Sequence, residues 1–301
     1  MHGWIILDKP HGLGSTQAVS AVKRVLRQSG AGKGKVGHGG TLDPLATGVL
    51  PLCLGEATKL AEGVLPIALG EATKLAGRML DSDKVYEFTV AFGVQTDTLD
   101  LEGETIATSD HRPTRAQVDA ILPRFTGPIE QVPPAYSAIL IDGQRAYDLA
   151  RDGEDFELTG SNRTEDGALA SLTLTAHVSK GTYIRSLARD IALALGTVGH
   201  VTMLRRVKAG PFTLDSAISL DILNDAATGH GIAQYMLPLT AGLDDIPALS
   251  VSPDEALALR QGKMLIGKPH TGLLLAMLGE TPIALVESSG PDIRVVRGFN
   301  L

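Results

Sequence analysis

Val36-Gly37-His38-Gly39-Gly40-Thr41-Leu42-Asp43-Pro44-Leu45-Ala46-Thr47-Gly48 is the passage on which the reading of this 301-residue chain turns. Gly37, Gly39 and Gly40 crowd the N-terminal side of Asp43, and Pro44 follows it. Glycine lets another backbone or a ligand come close. Pro44 pushes Asp43 toward extended backbone. The passage is therefore a shaped loop. An Asp-Pro pair in a loop is most often only a turn, but a carboxylate presented this way can also serve as a nucleophile or a base.

C-terminal to the loop, Gly48 to Glu62 is followed at once by Gly63 to Gly77, which repeats it at 12 of 15 positions. Two copies do not make a solenoid, which takes about three or more. One copy is expected in a strand-and-helix position, the other as an insertion. Cys53 becomes Ala68 in the second copy, which marks Cys53 as a small core residue rather than a working thiol. N-terminal to the loop, Gly30-Ala31-Gly32-Lys33-Gly34-Lys35 is a basic segment without the GxxxxGK[ST] spacing of a phosphate loop.

Further out, Trp4 to Asp8 reads as a buried strand. Ser15 is the expected N-cap of a helix that turns Val19, Val22, Val25 and Leu26 inward and stops at Gly30. Lys23, Arg24 and Arg27 then fall on its outer face. Strands are expected at Lys84–Phe92, Ala135–Ile141, Leu172–Val178 and Val201–Val207. Helices are expected after Thr114, through Leu122, and from Ile184 to Leu195. Residues 211–246 read as a connector with one helix. From Pro247 onward a short helix near Glu255–Leu259 precedes three short apolar runs, the texture of a small β module.

Composition limits the classes open to the chain. It is 44% apolar and 20% charged, an ordinary globular balance. No apolar run reaches the roughly 18 residues that span a bilayer. A single cysteine excludes an intrachain disulfide and a cysteine-based metal cluster. The start lacks the pattern of a secretory signal, so a soluble cytoplasmic protein is expected. Net charge is −7, but residues 1–78 carry nine basic against five acidic side chains, while the remainder is −11. A locally basic face can hold a polyanion despite an acidic whole; a solvated helix face gives the same pattern.

The string GHGGTLDPLATGVLPLCLGEATKL resembles the catalytic motif of the TruB family of pseudouridine synthases. The resemblance continues through Asp81–Tyr86, Gly93–Asp100, Pro133–Ile139, Gly143–Tyr147, Lys180–Asp190 and Gly199–Arg206. The chain's last residues, Arg294 to Leu301, are more loosely similar to the small PUA-like module that follows such a catalytic domain. The implied fold is α+β: a mixed, mainly antiparallel sheet flanked by helices over residues 1–245, then a β-rich PUA-like RNA-binding domain over 246–301. The implied reaction is isomerisation of the uridine at position 55 in the T loop of tRNA, with no cofactor and no metal. The implied partner is the tRNA alone, bound by a monomer.

The resemblance makes Asp43 the reacting carboxylate. It could attack C1′ of the sugar, attack C6 of the base, or take a sugar proton to leave a glycal. Arg185 is implied as the cation beside it, Tyr86 as the ring over the flipped uracil, and His38 as the residue filling the gap left in the RNA loop. Tyr183 and Leu204 are implied to line the pocket. Lys59 or Lys74 approaches the RNA backbone, and Lys9, Lys23, Arg24, Arg27, Arg205, Arg206 and Lys208 are candidate phosphate contacts. Three features depart from the family pattern: the duplication, Leu140 where a lysine is usual, and a short Leu158–Leu172 stretch in which a strand is expected to be truncated. The alternative to an enzyme is a non-catalytic tRNA-binding or RNA-folding protein on the same fold. A guide-dependent synthase is a third reading, disfavoured by the lack of long basic tails.

Overall fold

The computed structural model describes residues 2–30, 35–55, 82–134, 149–151, 155–164, 167–228 and 231–299. The chain forms two compact units. The first comprises Met1–Asp43, Val49–Leu80 and Gly210–Leu301; the second comprises Pro44–Gly48 and Asp81–Ala209. The expected domain boundary at 245/246 is not one of these divisions. Residues from Ala248 nonetheless build a sheet and a core of their own.

The first unit opens with β1 (Gly3–Lys9), whose residues Trp4 to Leu7 are wholly buried. A continuous apolar run of this kind suits a strand covered on both faces. The Trp4 indole N–H donates to the Leu239 carbonyl at 3.0 Å. Gly242 lies so close beneath it that a Cβ there would fall 2.6 Å from the ring. Helix α1 (Ser15–Gln28) buries Ala18, Val22 and Val25 at helical spacing. Its N-cap is Gly14, not the expected Ser15: the Gln17 side-chain oxygen accepts from the Gly14 N–H at 2.9 Å. Strand β2 (Val36–His38) pairs antiparallel with β3 (Thr47–Leu54), beside which β1 also lies.

The second unit takes the first two residues of β3 and then β4 (Lys84–Phe92), which has the bounds read from the sequence. A small hairpin, β5 (Val94–Thr96) and β6 (Thr105–Thr108), follows. Helix α2 (Arg115–Ile121) is capped by Thr114 as expected, its hydroxyl accepting from the Gln117 N–H. Strand β7 (Ile129–Gln131) pairs with β8 (Leu149–Arg151). Strand β9 (Asp155–Arg163) pairs antiparallel with β10 (Leu169–Val178). Strand β9, nine residues long, runs into the Leu158–Leu172 stretch where a strand was expected to be truncated. Helix α3 (Ile184–Ala194) packs on β4 and on β11 (Gly199–Ala209). The sheet runs β11-β4-β10-β9, antiparallel throughout. Its core joins Phe88 and Val90 to Leu172 and Leu174, and to Leu187 and Ile191 of α3. The expected Ala135–Ile141 strand and Leu140 lie outside the described residues, as do Lys59, Lys74 and the second repeat copy.

Returning to the first unit, the short β12 (Phe212–Thr213) leads to α4 (Leu220–Thr228), which packs on α1. Strand β13 (Ala248–Ser250) lies parallel to β14 (Leu265–Leu278), and β14 forms a long hairpin with β15 (Thr281–Gly298). Helix α5 (Pro253–Arg260) covers this sheet and begins with a reciprocal cap between Ser252 and Glu255. The three short apolar runs of the sequence are therefore two long strands. The protein is α+β, with a mixed sheet and a β-rich C-terminal portion.

Candidate active site

The glycine-rich loop of the first unit is assembled by backbone pairing. Gly37 stands opposite Cys53 and His38 opposite Leu52, and the Gly39 N–H donates to the Pro51 carbonyl at 2.9 Å. Gly37 leaves room for the buried Cys53: a Cβ would come within 3.3 Å of its Sγ. Cys53 is the core residue expected. Gly40 has φ +114°, open to glycine and rare for other residues. Leu42 is buried, and both of its backbone polar groups meet the Ser15 hydroxyl, which accepts from its N–H at 2.8 Å and donates to its carbonyl at 2.9 Å. Asp43 follows, half-buried.

In the second unit a socket is built around Arg185, the second residue of α3, which is 9% exposed. Its Nη1 donates to the Thr98 carbonyl at 3.0 Å and faces Asp100 Oδ2 at 3.4 Å. The other Asp100 oxygen accepts from the Thr98 hydroxyl and from the Glu102 N–H. Between them Leu99, 4% exposed, sits at φ +64°. That conformation costs a non-glycine residue about 1–2 kcal/mol. The bend persists because its surroundings determine it: the Val201 N–H donates to the Leu99 carbonyl at 2.9 Å, and the Thr96 hydroxyl donates to the Asp100 carbonyl. The start of α3 is fixed from the other side. Gln131, 3% exposed, accepts from the Tyr183 N–H at 3.0 Å, and the Ser186 hydroxyl donates to the Val132 carbonyl at 2.8 Å.

Tyr86 on β4 stands opposite Arg206 on β11, and the Arg206 guanidinium lies 3.4 Å from the Tyr86 hydroxyl. Tyr86 and Leu204 both rest partly buried against the sheet core. Arg206 and Arg205 pair in parallel with Gly48 and Thr47, and Arg205 Nη1 donates to the Thr47 hydroxyl at 3.4 Å. Gly48 has φ +99°, and a Cβ there would fall 2.2 Å from the Arg206 carbonyl oxygen. Only glycine fits at this crossing.

Two residues expected to contact phosphate, Lys9 and Arg206, are buried. Lys9 has no exposed surface; its ammonium donates to the carbonyls of Pro10 and Leu13 at 3.1 and 2.6 Å. Arg206 is 1% exposed and belongs to the interior beneath Tyr86. Neither head group is on the surface where a backbone phosphate would meet it. Arg24, Arg27 and Lys208 are exposed, and Lys23 and Arg205 are half-buried. His38 is half-buried on β2, and Tyr183 is the N-cap of α3. The sequence reading missed Ser15 as a partner of the loop, and Asp100 and Gln131 as supports of Arg185 and Tyr183. Each acts on a residue at least 27 positions away, so no local signal reveals it.

Comparison with known proteins supplies the class, a pseudouridine synthase. A model described as "TruB family pseudouridylate synthase (N terminal domain)" matches residues 23–62 and 59–184, dividing inside the duplicated stretch. One described as "tRNA pseudouridylate synthase B C-terminal domain" matches residues 185–244. The chain belongs to the TruB family of pseudouridylate synthases. Proteins named tRNA pseudouridine synthase B from Novosphingobium aromaticivorans and Zymomonas mobilis are 60% and 56% identical to it, covering 99% and 100% of this chain and 97% and 96% of their own length. The protein of the same name from Caulobacter vibrioides is 45% identical over 99% of this chain and 96% of its own. Among solved structures, a chain of a Cbf5-Nop10-Gar1 complex superposes with a TM-score of 0.72 at 25% identity, over 99% of this chain and 85% of that one.

Proposed function

We propose that the protein isomerises uridine to pseudouridine at position 55 in the T loop of tRNA, with Asp43 as the reacting carboxylate. The observation that supports this reading best is the full-length likeness to relatives named tRNA pseudouridine synthase B. The uridine is flipped out of its loop into a pocket lined by Tyr183 and Leu204, with His38 at the gap. The N1–C1′ bond breaks, the base turns, C5 bonds to C1′, C5 gives up its proton, and N1 takes one up. Nothing is added or removed overall, so no co-reactant is required. Asp43 engages the nucleotide at C1′ or C6, or takes a sugar proton; a covalent route splits one hard step into easier ones. Arg185 supplies the balancing positive charge, as the family resemblance implies, and the Tyr86 hydroxyl takes the C5 proton.

Residues 246–301 serve as a PUA-like RNA-binding module. Lys23, Arg24, Arg27, Arg205 and Lys208 make phosphate contacts. The protein works as a cytoplasmic monomer on the RNA alone. Among the described residues no helix is long and apolar enough to cross a membrane. Product mapping on an unmodified tRNA transcript tests the assignment. Pseudouridine appears at position 55 without any added protein or guide RNA, and a transcript with cytidine there yields none. Binding of transcript with no product anywhere would favour the non-catalytic alternative.

A further inference from the structure

The Ser15 side chain fastens the start of α1 to the Asp43 loop. The capping role expected of Ser15 falls to Gly14 and Gln17, which leaves the Ser15 hydroxyl for the loop. That hydroxyl is buried, in a residue 4% exposed, and spans 27 positions to hold Leu42 at both backbone groups. The two groups belong to successive peptide planes. The Leu42 N–H lies in the plane shared with Thr41, and the Leu42 carbonyl lies in the plane that carries the Asp43 N–H. Fixing both planes sets the backbone direction in which the chain enters Asp43. The glycines before it leave that direction open on the N-terminal side, Gly40 sitting at φ +114°, while Pro44 restricts Asp43 from the other side. Ser15 is itself anchored, because the Lys9 ammonium holds the Leu13 carbonyl two residues before it at 2.6 Å.

We propose that Ser15 is a positioning residue for the reaction, orienting the Asp43 carboxylate through Leu42. The inference rests on Asp43 being the reacting group. Misplacing a reacting group by about 1 Å costs on the order of 10²-fold in rate. Ser15→Ala therefore lowers kcat by about 10- to 100-fold while the Kd for tRNA stays within about twofold, because no RNA contact is removed.

The test uses the full chain with C5-tritiated tRNA transcript. It compares wild type, S15A, S15T and S15V, with rates taken per folded molecule as judged by circular dichroism. Thr and Val have the same shape and differ in the hydroxyl, so that pair separates hydrogen bonding from volume. The expected result is S15T at least about tenfold faster in kcat than S15V at equal tRNA affinity. Equal kcat for S15T and S15V, wild-type kcat in S15A, or a loss confined to tRNA affinity would overturn the proposal. Asp43→Asn run alongside keeps the two ideas apart. If it turns over, the reading of Asp43 fails; if it is inert while S15T and S15V are equal, positioning by Ser15 alone fails.

Discussion

Two ion pairs, one inside the second unit and one on the C-terminal sheet, show that distance is a poor guide to consequence. Lys268 and Glu255 approach to 2.8 Å, each side chain 28% exposed. Arg185 and Asp100 stand at 3.4 Å, only 10% and 11% exposed. The closer pair sits where water and salt screen it, and such pairs contribute about 0.2–1 kcal/mol. The longer pair is shut in with backbone carbonyls and a bent loop, where an uncompensated charge costs several times more. Burial decides between them.

The contrast is sharpest when one partner is removed. Arg185→Met strands the Asp100 carboxylate in the interior. It should cost about 3–5 kcal/mol in denaturant unfolding and lower turnover by about 10³-fold. A loss below 1 kcal/mol would erase the distinction between the pairs. Gly48→Ala comes next, for it drives a Cβ into the Arg206 carbonyl at a fixed strand crossing. A loss of about 3 kcal/mol is expected, read as a fall in denaturation midpoint at unchanged slope. Leu99→Gly sets two effects against each other. Relief of the left-handed conformation returns about 1–2 kcal/mol, while the emptied buried site costs about 2–5 kcal/mol. The variant should therefore be less stable by about 1–3 kcal/mol, and a stabilised variant would show that strain outweighs packing there.

The smallest effect belongs to the surface pair. Hydrogen bonds from Lys268 and from the Ser252 backbone hold the Glu255 carboxyl below its usual range. Its folded pKa is lowered, so its contribution is present above the ordinary carboxylate value and is lost as pH falls through the lowered one. Glu255→Gln should change stability by about 0.5 kcal/mol near neutral pH. That difference should vanish in acid and shrink in high salt, as melting curves across pH and salt would show.

What the sequence made legible follows the same division. Contiguous patterns were readable: β4 has its expected bounds, α3 begins at the expected Ile184, and the glycine-rich loop lies where its composition puts it. Contacts between distant segments were not. Ser15 looked like a cap because serine before an apolar helix usually is one, and only the folded loop shows its hydroxyl spent on Leu42. Lys9 was expected among the phosphate contacts, yet its ammonium closes the turn from within. The two long C-terminal strands read as three short runs because Gly267, Gly272, Gly290 and Pro282 interrupt them. The pairing absorbs part of that interruption as a register shift between Ile266 and His270. Asp100 lay at the end of the family-like Gly93–Asp100 stretch, but nothing local tied it to Arg185, 85 positions away.

Everything in the proposed chemistry passes through one carboxylate. Single-turnover release of tritium from C5-labelled tRNA, measured for wild type and Asp43→Asn with saturating enzyme, tests it most directly. The account predicts no release above background for the variant, with tRNA bound as tightly as by wild type. Release at a rate near that of wild type would contradict it.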